Sequence, residues 1–232
     1  MSIPPTGVAD LVGPAVVGVD NRPSESRSGD PALVDDSLLF DEERALVASV
    51  APGRFRDFVL GRRCARLAVE GLGLEPAPIL VGERRQPLWP AGVVGAITHT
   101  EGYVAAAVAR ADEVASIGID AEADERLPDG VERRIVRPDE QRLLGLDDVG
   151  VTAVDRLIFS AKEAVYKAWF PLTGEWLGFL DARLELDPQG RRFAAHVLVD
   201  APEVHGRRLQ VFEGRYASVD GVIITTVEHP AP

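Results

Sequence analysis

The order of segments along the chain constrains its fold most strongly, because the same order occurs twice. In each half, segments with helical spacing of apolar residues come first, and short segments rich in small or β-branched residues follow. The predicted helices lie at residues 37–50, 54–71, 138–146 and 154–170. The predicted strands lie at residues 79–81, 93–97, 104–109, 115–120, 182–186, 193–199, 209–212 and 221–227. This order predicts an α+β protein of two similar halves, residues 1–117 and 118–232, with a ligand cleft between them.

Charge and composition narrow the class of protein. The chain has 232 residues, of which 46% are hydrophobic and 27% charged, as in a globular protein with a sizeable core. Its formal charge of −12 argues against nucleic-acid binding, which requires a basic face. Cys64 is the only cysteine, and its place in an apolar helical run indicates a buried structural thiol. The N-terminal apolar run is too short and too broken for a membrane span, so a cytoplasmic protein without membrane contact is expected.

Two acidic residues follow a predicted strand in the sequence SIGIDAEAD. Ile117 and Ile119 alternate with smaller residues, so the chain is expected to be extended as it reaches Asp120. In an extended chain Asp120 and Glu122 project to the same side, about 7 Å apart at the backbone. Two such carboxylates suit Mg²⁺, which takes one or two protein carboxylates together with phosphate oxygens and water. The same spacing also arises by chance in an acidic chain, so both interpretations stay open at this point.

The second long helix contains the sequence FSAKEAVYKAWF, which holds the only lysines of the chain, Lys162 and Lys167. Its apolar residues recur at helical spacing and predict a buried stripe. Glu163 and Lys167 point nearly opposite that stripe, and the flank beside them carries Phe159, Lys162 and Tyr166. Such a face is either solvated, with a Glu–Lys pair one turn apart worth a few tenths of a kcal/mol, or it meets a ligand. The two aromatic residues count against a merely solvated face, which does not need them, but both interpretations stay open at this point.

The first long helix is locally basic in an otherwise acidic chain. Residues 54–66 contain five arginines and a single acidic residue. Arg54 and Arg62 are eight residues apart, so they can share a face with Arg66. Such a row suits phosphate, which guanidinium binds through paired hydrogen bonds, but it suits pairing with nearby acids equally well. His99 follows a short predicted strand, where an imidazole is either a structural hydrogen-bonding group or a donor to phosphate.

Four sequence blocks span about residues 54–174, in the order RFRDFVLGRRCAR, PLWPAGVVGAITHTEGY, SIGIDAEADERLP and FSAKEAVYKAWFPLTG. These blocks resemble the Sfp-type 4′-phosphopantetheinyl transferases, most closely the branch that serves siderophore, polyketide and nonribosomal peptide synthesis. The resemblance implies a pseudo-dimeric fold of two α+β halves in one chain, so a monomer is expected. It also implies transfer of 4′-phosphopantetheine from coenzyme A to a serine of an apo acyl or peptidyl carrier protein, with release of adenosine 3′,5′-bisphosphate. Mg²⁺ is the implied metal, with Mn²⁺ as an alternative.

The resemblance assigns roles to individual residues. Asp120, Glu122 and Glu163 are the implied metal ligands, and Glu163 is also the implied base for the carrier serine. The groups implied to hold coenzyme A are Arg54, Arg62, Arg84, His99, Lys162 and Lys167. Lys162 is further implied to compensate the charge of the leaving bisphosphate. The implied catalytic residues are therefore Glu163, Lys162 and Asp120.

Two other functions are consistent with parts of this pattern. A catalytically silent relative that binds coenzyme A or a carrier protein has no reason to keep the acidic residues together with Lys162. A metal-dependent phosphohydrolase would use the same carboxylates. It would leave the basic helix and the aromatic face of the second helix unexplained, so the transferase is the favoured prediction.

Overall fold

The computed structural model describes residues 6–21, 34–48, 50–204 and 206–232. Its α-helices are α1 (Asp41–Val47), α2 (Pro52–Gly71) and α3 (Val154–Thr173). Its strands are β1 (Val16–Asn21), β2 (Leu80–Val81), β3 (Pro87–Leu88), β4 (Val93–Thr100), β5 (Tyr103–Arg110), β6 (Val114–Ala123), β7 (Ala182–Asp187), β8 (Arg192–Val197), β9 (Glu203–Val204), β10 (Arg207–Arg208), β11 (Val211–Val219) and β12 (Val222–Pro230). The predicted α+β class is confirmed. Residues 21–36, rich in Pro, Ser, Asp and Gly, are predicted from the sequence to form a surface loop, and most of them lie outside the described residues.

The sequence explains where the helices begin and end. Helix α2 has Pro52 in its first turn, where the missing N–H costs no hydrogen bond. Helix α3 ends at Gly174, whose φ of 69° is left-handed and free of strain for glycine. Helix α1 is shorter than predicted, because Ser37 lies in a separate 3-10 turn and Phe40 is the residue that precedes the helix.

The two main sheets repeat one topology. The first sheet has the order β1-β5-β4, and the second has the order β6-β12-β11-β8-β7, with every pairing antiparallel. In each half the first strand pairs with the last strand, which pairs with the strand before it. The predicted boundary after residue 117 falls inside β6. Because β6 takes the place in its sheet that β1 takes in the other, the topology favours the turn at residues 111–113 as the boundary.

A buried glutamate holds helices α1 and α2 of the first half together. Glu43 is fully buried on α1, and its carboxylate accepts hydrogen bonds from the Phe40 and Ile79 backbone N–H groups at 3.1 and 2.8 Å. It also accepts a bond from the Arg66 guanidinium of α2 at 2.8 Å. The same guanidinium donates to the carbonyl of Leu38, five residues before the glutamate. Glu43 therefore ties α1, α2 and the segment leading into β2 together.

The second half repeats this arrangement at Glu140, in the 3-10 helix Pro138–Gly145. Its buried carboxylate accepts bonds from the Arg137 and Leu184 backbone N–H groups at 2.8 and 2.6 Å, and from the Lys162 ammonium of α3 at 2.7 Å. Lys162 also donates to the carbonyl of Ile135, again five residues before the glutamate, at 2.8 Å. We call these two sets of bonds the glutamate braces. They make Lys162 the counterpart of Arg66 and support a pseudo-dimeric fold.

Strand β6 forms the junction between the two halves and presents a different set of residues on each face. Ile117 and Ile119 pack into the apolar core shared with the first half. Ser116 and Gly118 face α3, and the Ser116 hydroxyl donates to a carbonyl of that helix at 2.7 Å. A Cβ atom on Gly118 would lie 1.8 Å from the carbonyl oxygen of Ala164, so only glycine permits this approach. The residues that follow on the α3 face are the predicted acidic pair.

Candidate active site

A cavity of about 690 Å³ lies between the two halves, within the size range of small-molecule sites. One wall comes from the first half, through the β2–β3 hairpin and β4, and the other comes from α3. Its chemistry is set by Arg84, Trp89, Ile97, Glu163, Tyr166 and Lys167. The cleft predicted between the halves therefore exists, and it combines apolar walls with a small number of charged groups.

Asp120 lies on the α3 face of β6 and is joined to the cleft by Lys167. It is 5% exposed, and its Oδ1 accepts a hydrogen bond from the Lys167 ammonium at 2.8 Å. The ammonium also donates to the Ile119 carbonyl at 3.0 Å. The second carboxylate oxygen of Asp120 is buried and has no hydrogen-bond partner among the described residues. A buried carboxylate oxygen without a partner is costly unless a cation or donor binds it.

Glu122 projects from the same face of the strand, as predicted, and is held by Arg156 of α3. The Arg156 Nη1 donates to Glu122 Oε2 at 3.0 Å, and both side chains are largely shielded from solvent. Burial raises the pKa of Glu122, and the negative charge of Asp120 raises it further, while Arg156 and Lys167 oppose both effects. Arg156 was not predicted as a site residue, because no local pattern links it to an acid 34 residues away.

Glu163 lines the cleft one helical turn before Lys167. Burial raises its pKa, the Lys167 ammonium opposes that shift, and the charges of Asp120 and Glu122 add to it. The three predicted carboxylates therefore lie close enough to influence one another's ionisation. A carboxylate with a raised pKa in a cleft is a stronger base than an ordinary glutamate.

The three carboxylates do not form a preformed metal-binding site. Within residues 6–21, 34–48, 50–204 and 206–232, no group of three or more His, Cys, Asp or Glu side chains has the geometry to hold an ion. Asp120 and Glu122 are each paired with a cation instead. The partnerless buried oxygen of Asp120 and the all-carboxylate donor set nevertheless fit Mg²⁺, a hard cation that takes part of its shell from phosphate.

Thr98 connects the two halves at this site. It lies on β4 and is 3% exposed, and its hydroxyl accepts the backbone N–H of Ala121 at 3.0 Å. The hydroxyl also donates to Asp120 Oδ1 at 3.4 Å. Thr98 thus fixes the strand end that carries both acidic side chains. In the sequence Ile-Thr-His, His99 was the predicted site residue. Strand alternation places Thr98, not His99, toward the acidic pair.

Arg84 and Tyr166 line the part of the cleft next to the hairpin. Arg84 is exposed in the hairpin, close enough to Tyr166 that its charge opposes the raised pKa that burial gives the phenol. The ring of Tyr166 also contacts Trp176 in a tilted arrangement with centroids 4.8 Å apart, and Trp176 is 68% exposed. The aromatic face predicted on the second helix therefore meets the cleft.

Comparison with known proteins covers both halves of the chain. The N-terminal domain of 4′-phosphopantetheinyl transferases matches residues 42–109, and the 4′-phosphopantetheinyl transferase superfamily matches residues 116–224. The 4′-phosphopantetheinyl transferase Svp of Streptomyces mobaraensis is 49% identical over 202 residues, 84% of this chain and 80% of that protein. The chain belongs to the 4′-phosphopantetheinyl transferase superfamily. It is therefore an enzyme, and the fold repeat described above is that of a phosphopantetheinyl transferase.

Other relatives of this transferase show the same breadth of match. The 4′-phosphopantetheinyl transferase PptT of Mycobacterium tuberculosis is 41% identical over 218 residues, 92% of this chain and 94% of that protein. Enterobactin synthase component D of Escherichia coli K12 is 32% identical over 158 residues, 67% of this chain and 73% of that protein. The second relative links the family to siderophore synthesis.

The structure places Lys162 outside the cleft, which disfavours the phosphate-binding role predicted for it. Its side chain is buried in the second glutamate brace, where the ammonium donates to Glu140 and to the carbonyls of Ile135 and Phe179 at 2.7 to 2.9 Å. Three acceptors use all three hydrogens of the ammonium, so none remains for a phosphate oxygen. Lys167 is the lysine of this transferase that faces the cleft.

Arg62 is also largely buried and makes its contacts inside the first half. It is 7% exposed, its Nε donates to the Ile79 carbonyl at 2.9 Å, and its guanidinium lies 4.1 Å from the Phe58 ring centroid. Burial lowers its pKa to about 10, with Glu43 opposing the shift. The arginine row of α2 partly faces α1 and the segment before β2, and Arg66 of that row pairs with Glu43. These contacts disfavour an exposed cationic row, and contact of Arg62 with coenzyme A stays a prediction.

The remaining predicted coenzyme A contacts, Arg54 and His99, lie on the α2 side of the first half. Arg54 is exposed in the first turn of α2. His99 is more than half exposed, and its Nδ1 lies 3.6 Å from Asp57 Oδ2. Both side chains are accessible to a ligand. Their contact with coenzyme A stays a prediction.

Proposed function

We propose that the chain transfers the 4′-phosphopantetheine group of coenzyme A to a serine of an apo acyl or peptidyl carrier protein. Adenosine 3′,5′-bisphosphate is the second product, and the reaction depends on Mg²⁺, with Mn²⁺ as an alternative. The observation that supports this proposal is the cleft between the halves, which is lined by Glu163, Lys167 and the exposed Arg84, with Asp120 bonded to Lys167. Membership of the transferase superfamily gives that arrangement its reaction class.

Glu163 is the proposed general base. The carrier serine oxygen attacks the phosphorus that bears pantetheine, and the bond from that phosphorus to the bisphosphate oxygen breaks. The serine proton passes to the Glu163 carboxylate, whose raised pKa suits it to accept a proton. The leaving bisphosphate departs as an anion, so cations near it lower the barrier.

Lys167 and Arg84 are the proposed phosphate-binding groups of the cleft. Lys167 carries a compact ammonium on a flexible stem, with two of its three hydrogens used in bonds to Asp120 and the Ile119 carbonyl. Arg84 adds a guanidinium at the rim, where it suits a second phosphate. Arg54 and His99 are proposed to hold the 3′-phosphate end of coenzyme A from the α2 side.

Asp120, Glu122 and Glu163 would hold the metal ion. When bound, Mg²⁺ supplies charge stabilisation to the phosphoryl oxygens. Asp120 offers the partnerless oxygen, and Thr98 keeps that carboxylate in place from the other half.

The apolar walls of the cleft favour the transferase over a phosphohydrolase. Trp89 and Ile97 on one side face Tyr166 and Phe170 on the other. A hydrolase acting on phosphate and water needs no apolar surface of this size, whereas the pantetheine arm offers apolar atoms to bury. A catalytically silent relative is disfavoured because Glu163 has both the raised pKa and the placement of a base.

One assay tests the proposal. The protein is incubated with coenzyme A, Mg²⁺ and several apo carrier proteins, and each carrier is then weighed by mass spectrometry. A gain of one phosphopantetheine mass on at least one carrier is expected. No gain on any carrier would contradict the transferase, and release of phosphate without a carrier would favour the hydrolase.

The location and partners follow from the same proposal. None of the helices in the described parts of the chain is long and apolar enough to span a bilayer. A cytoplasmic monomer is proposed, with coenzyme A and carrier domains as partners and no binding of nucleic acid or membranes.

The Glu163 carboxyl should titrate above the ordinary glutamate pKa in the metal-free protein. Burial and the neighbouring carboxylates raise its pKa, so the protonated form, which cannot accept a proton, persists to higher pH. The measurement is an NMR titration of the glutamate carboxyl groups without divalent ions, because a bound metal ion would lower the same pKa, and Glu163→Gln assigns the signal. A titration at or below the ordinary glutamate pKa would remove the raised pKa as support for Glu163 as the base.

Lys162→Met should destabilise the protein while leaving coenzyme A binding intact. The substitution leaves the buried Glu140 carboxylate without its cation, which costs about 3–5 kcal/mol of unfolding free energy. Urea denaturation and calorimetric titration with coenzyme A measure the two effects. Lys167→Met is the matched control and should weaken coenzyme A binding with a smaller loss of stability. Weakened coenzyme A binding in a Lys162→Met protein of unchanged stability would restore the phosphate-binding role.

A further inference from the structure

Two of the three proposed metal ligands are already neutralised by cations of the chain itself. Lys167 Nζ lies 2.8 Å from Asp120 Oδ1, and Arg156 Nη1 lies 3.0 Å from Glu122 Oε2. With Glu163, the site therefore holds three carboxylates against two cations. A site with one net negative charge attracts a divalent ion only weakly, and the ion must also lose part of its hydration shell to bind there.

Arg156 is the more firmly held of the two cations. Besides Glu122, its guanidinium donates to the Glu125 carbonyl at 3.0 Å and to the Arg126 carbonyl at 3.2 Å. Three acceptors, one on β6 and two in the segment after it, thus fix its planar fork, as suits arginine and not lysine. Lys167, in contrast, sits on a flexible stem and can follow a phosphate that enters the cleft.

We propose that Arg156 is a resident counter-ion of Glu122 that makes binding of the divalent metal conditional on coenzyme A. This inference rests on the proposed function. The pyrophosphate of coenzyme A brings its own negative charges and draws the Lys167 ammonium away from Asp120. Asp120 Oδ2 is then free and Oδ1 is bound only by the Thr98 hydroxyl, so this carboxylate could hold the metal ion together with the other carboxylates and the pyrophosphate. Arg156 stays on Glu122 throughout and leaves it one oxygen for the ion.

The consequence is an order of binding. A divalent ion held before coenzyme A would attract other phosphates. A site that is neutralised in advance by Arg156 and Lys167 holds little metal until coenzyme A is bound. A purely structural role for Arg156 predicts that removing its charge leaves Mn²⁺ binding without coenzyme A unchanged.

The test measures Mn²⁺ binding by electron paramagnetic resonance, without carrier protein and therefore without turnover. Wild-type protein is titrated alone and with saturating coenzyme A, and coenzyme A with Mn²⁺ alone serves as the blank. Arg156→Gln and Arg156→Lys are titrated alone, and thermal unfolding confirms that each variant is folded. Arg183→Gln removes an arginine paired with Glu185 at 2.9 Å elsewhere in the same half and is the matched control.

Wild type is expected to bind Mn²⁺ much more tightly with coenzyme A than without it. Because a unit charge a few Å away is removed, Arg156→Gln should bind Mn²⁺ about tenfold more tightly than wild type in the absence of coenzyme A. Arg156→Lys, which keeps the charge, and Arg183→Gln should both match wild type.

Three results would overturn the inference in different ways. Equal Mn²⁺ affinity of wild type with and without coenzyme A removes the conditional binding, and this measurement needs no variant. Arg156→Gln that binds Mn²⁺ no better than wild type removes Arg156 as the counter-ion, while the proposed function stands. No Mn²⁺ bound by wild type even with coenzyme A contradicts the metal dependence of the proposed function itself.

Discussion

Replacing Glu163 with Gln will lower the rate of carrier modification by about 100-fold or more, the size of a lost general base, while coenzyme A still binds. The amide keeps the size of the side chain but cannot accept the serine proton. The cations proposed to hold phosphate, Lys167 and Arg84, are unchanged. Mass spectrometry of the carrier gives the rate, and calorimetry gives the affinity for coenzyme A.

The control for this substitution is Glu70→Gln. Glu70 is an exposed glutamate on α2, the helix that corresponds to α3 in the first half. The Glu70→Gln protein loses the same charge far from the cleft, so its rate of carrier modification should equal that of the wild type. Near-normal turnover of Glu163→Gln would remove this residue from the chemistry, and a parallel loss of coenzyme A binding would assign it to ligand binding instead.

Replacing Gly118 with Ala should lower the free energy of unfolding by about 3 kcal/mol, at the upper end of typical overpacking costs. The added Cβ would lie 1.8 Å from the Ala164 carbonyl oxygen, which is backbone and cannot rotate away. Strand β6 and helix α3 must separate to accommodate it, and they carry Asp120 and Glu163. Stability and transfer rate should therefore fall together, as urea denaturation and the carrier assay will show.

Gly53→Ala is the matched control for the glycine substitution. Gly53 lies in the first turn of α2, where an added Cβ meets nothing within 4 Å. Alanine there should be neutral or should stabilise the helix by up to about 1 kcal/mol. Equal destabilisation by both substitutions would show that the close approach at Gly118 is not the cause.

Local sequence patterns predicted most of the secondary structure around the site. The helical spacing located α3, and the alternation in SIGIDAEAD correctly placed Asp120 and Glu122 on one face of a strand. Strand β1 was missed, because its residues Val16–Asn21 adjoin a Pro- and Ser-rich segment without a clear boundary. Patterns with a period of two or 3.6 residues carry this information because they reflect burial directly.

Those patterns could not predict ion pairs between residues that are far apart in the sequence. Lys162 looked accessible on the helix flank, but Glu140, 22 residues earlier, comes to lie beside it through a 3-10 helix. Arg156 meets Glu122 across 34 residues in the same way. Which cation reaches a ligand and which is used inside the fold depends on how the helices pack, and spacing along one helix does not record that.

The glutamate braces have a consequence for stoichiometry. In both halves a cation of the long helix binds the glutamate of the brace, but the residue after that cation differs. Arg66 is followed by Leu67, which is 44% exposed, whereas Lys162 is followed by Glu163. The two halves therefore share the glutamate brace but differ in the residue proposed for catalysis. In a symmetric oligomer of separate identical chains, every equivalent interface between two chains would carry its own active site. In the described residues of this chain, only the second half has a glutamate at this position, so the proposed base occurs once and each polypeptide is expected to serve one carrier at a time.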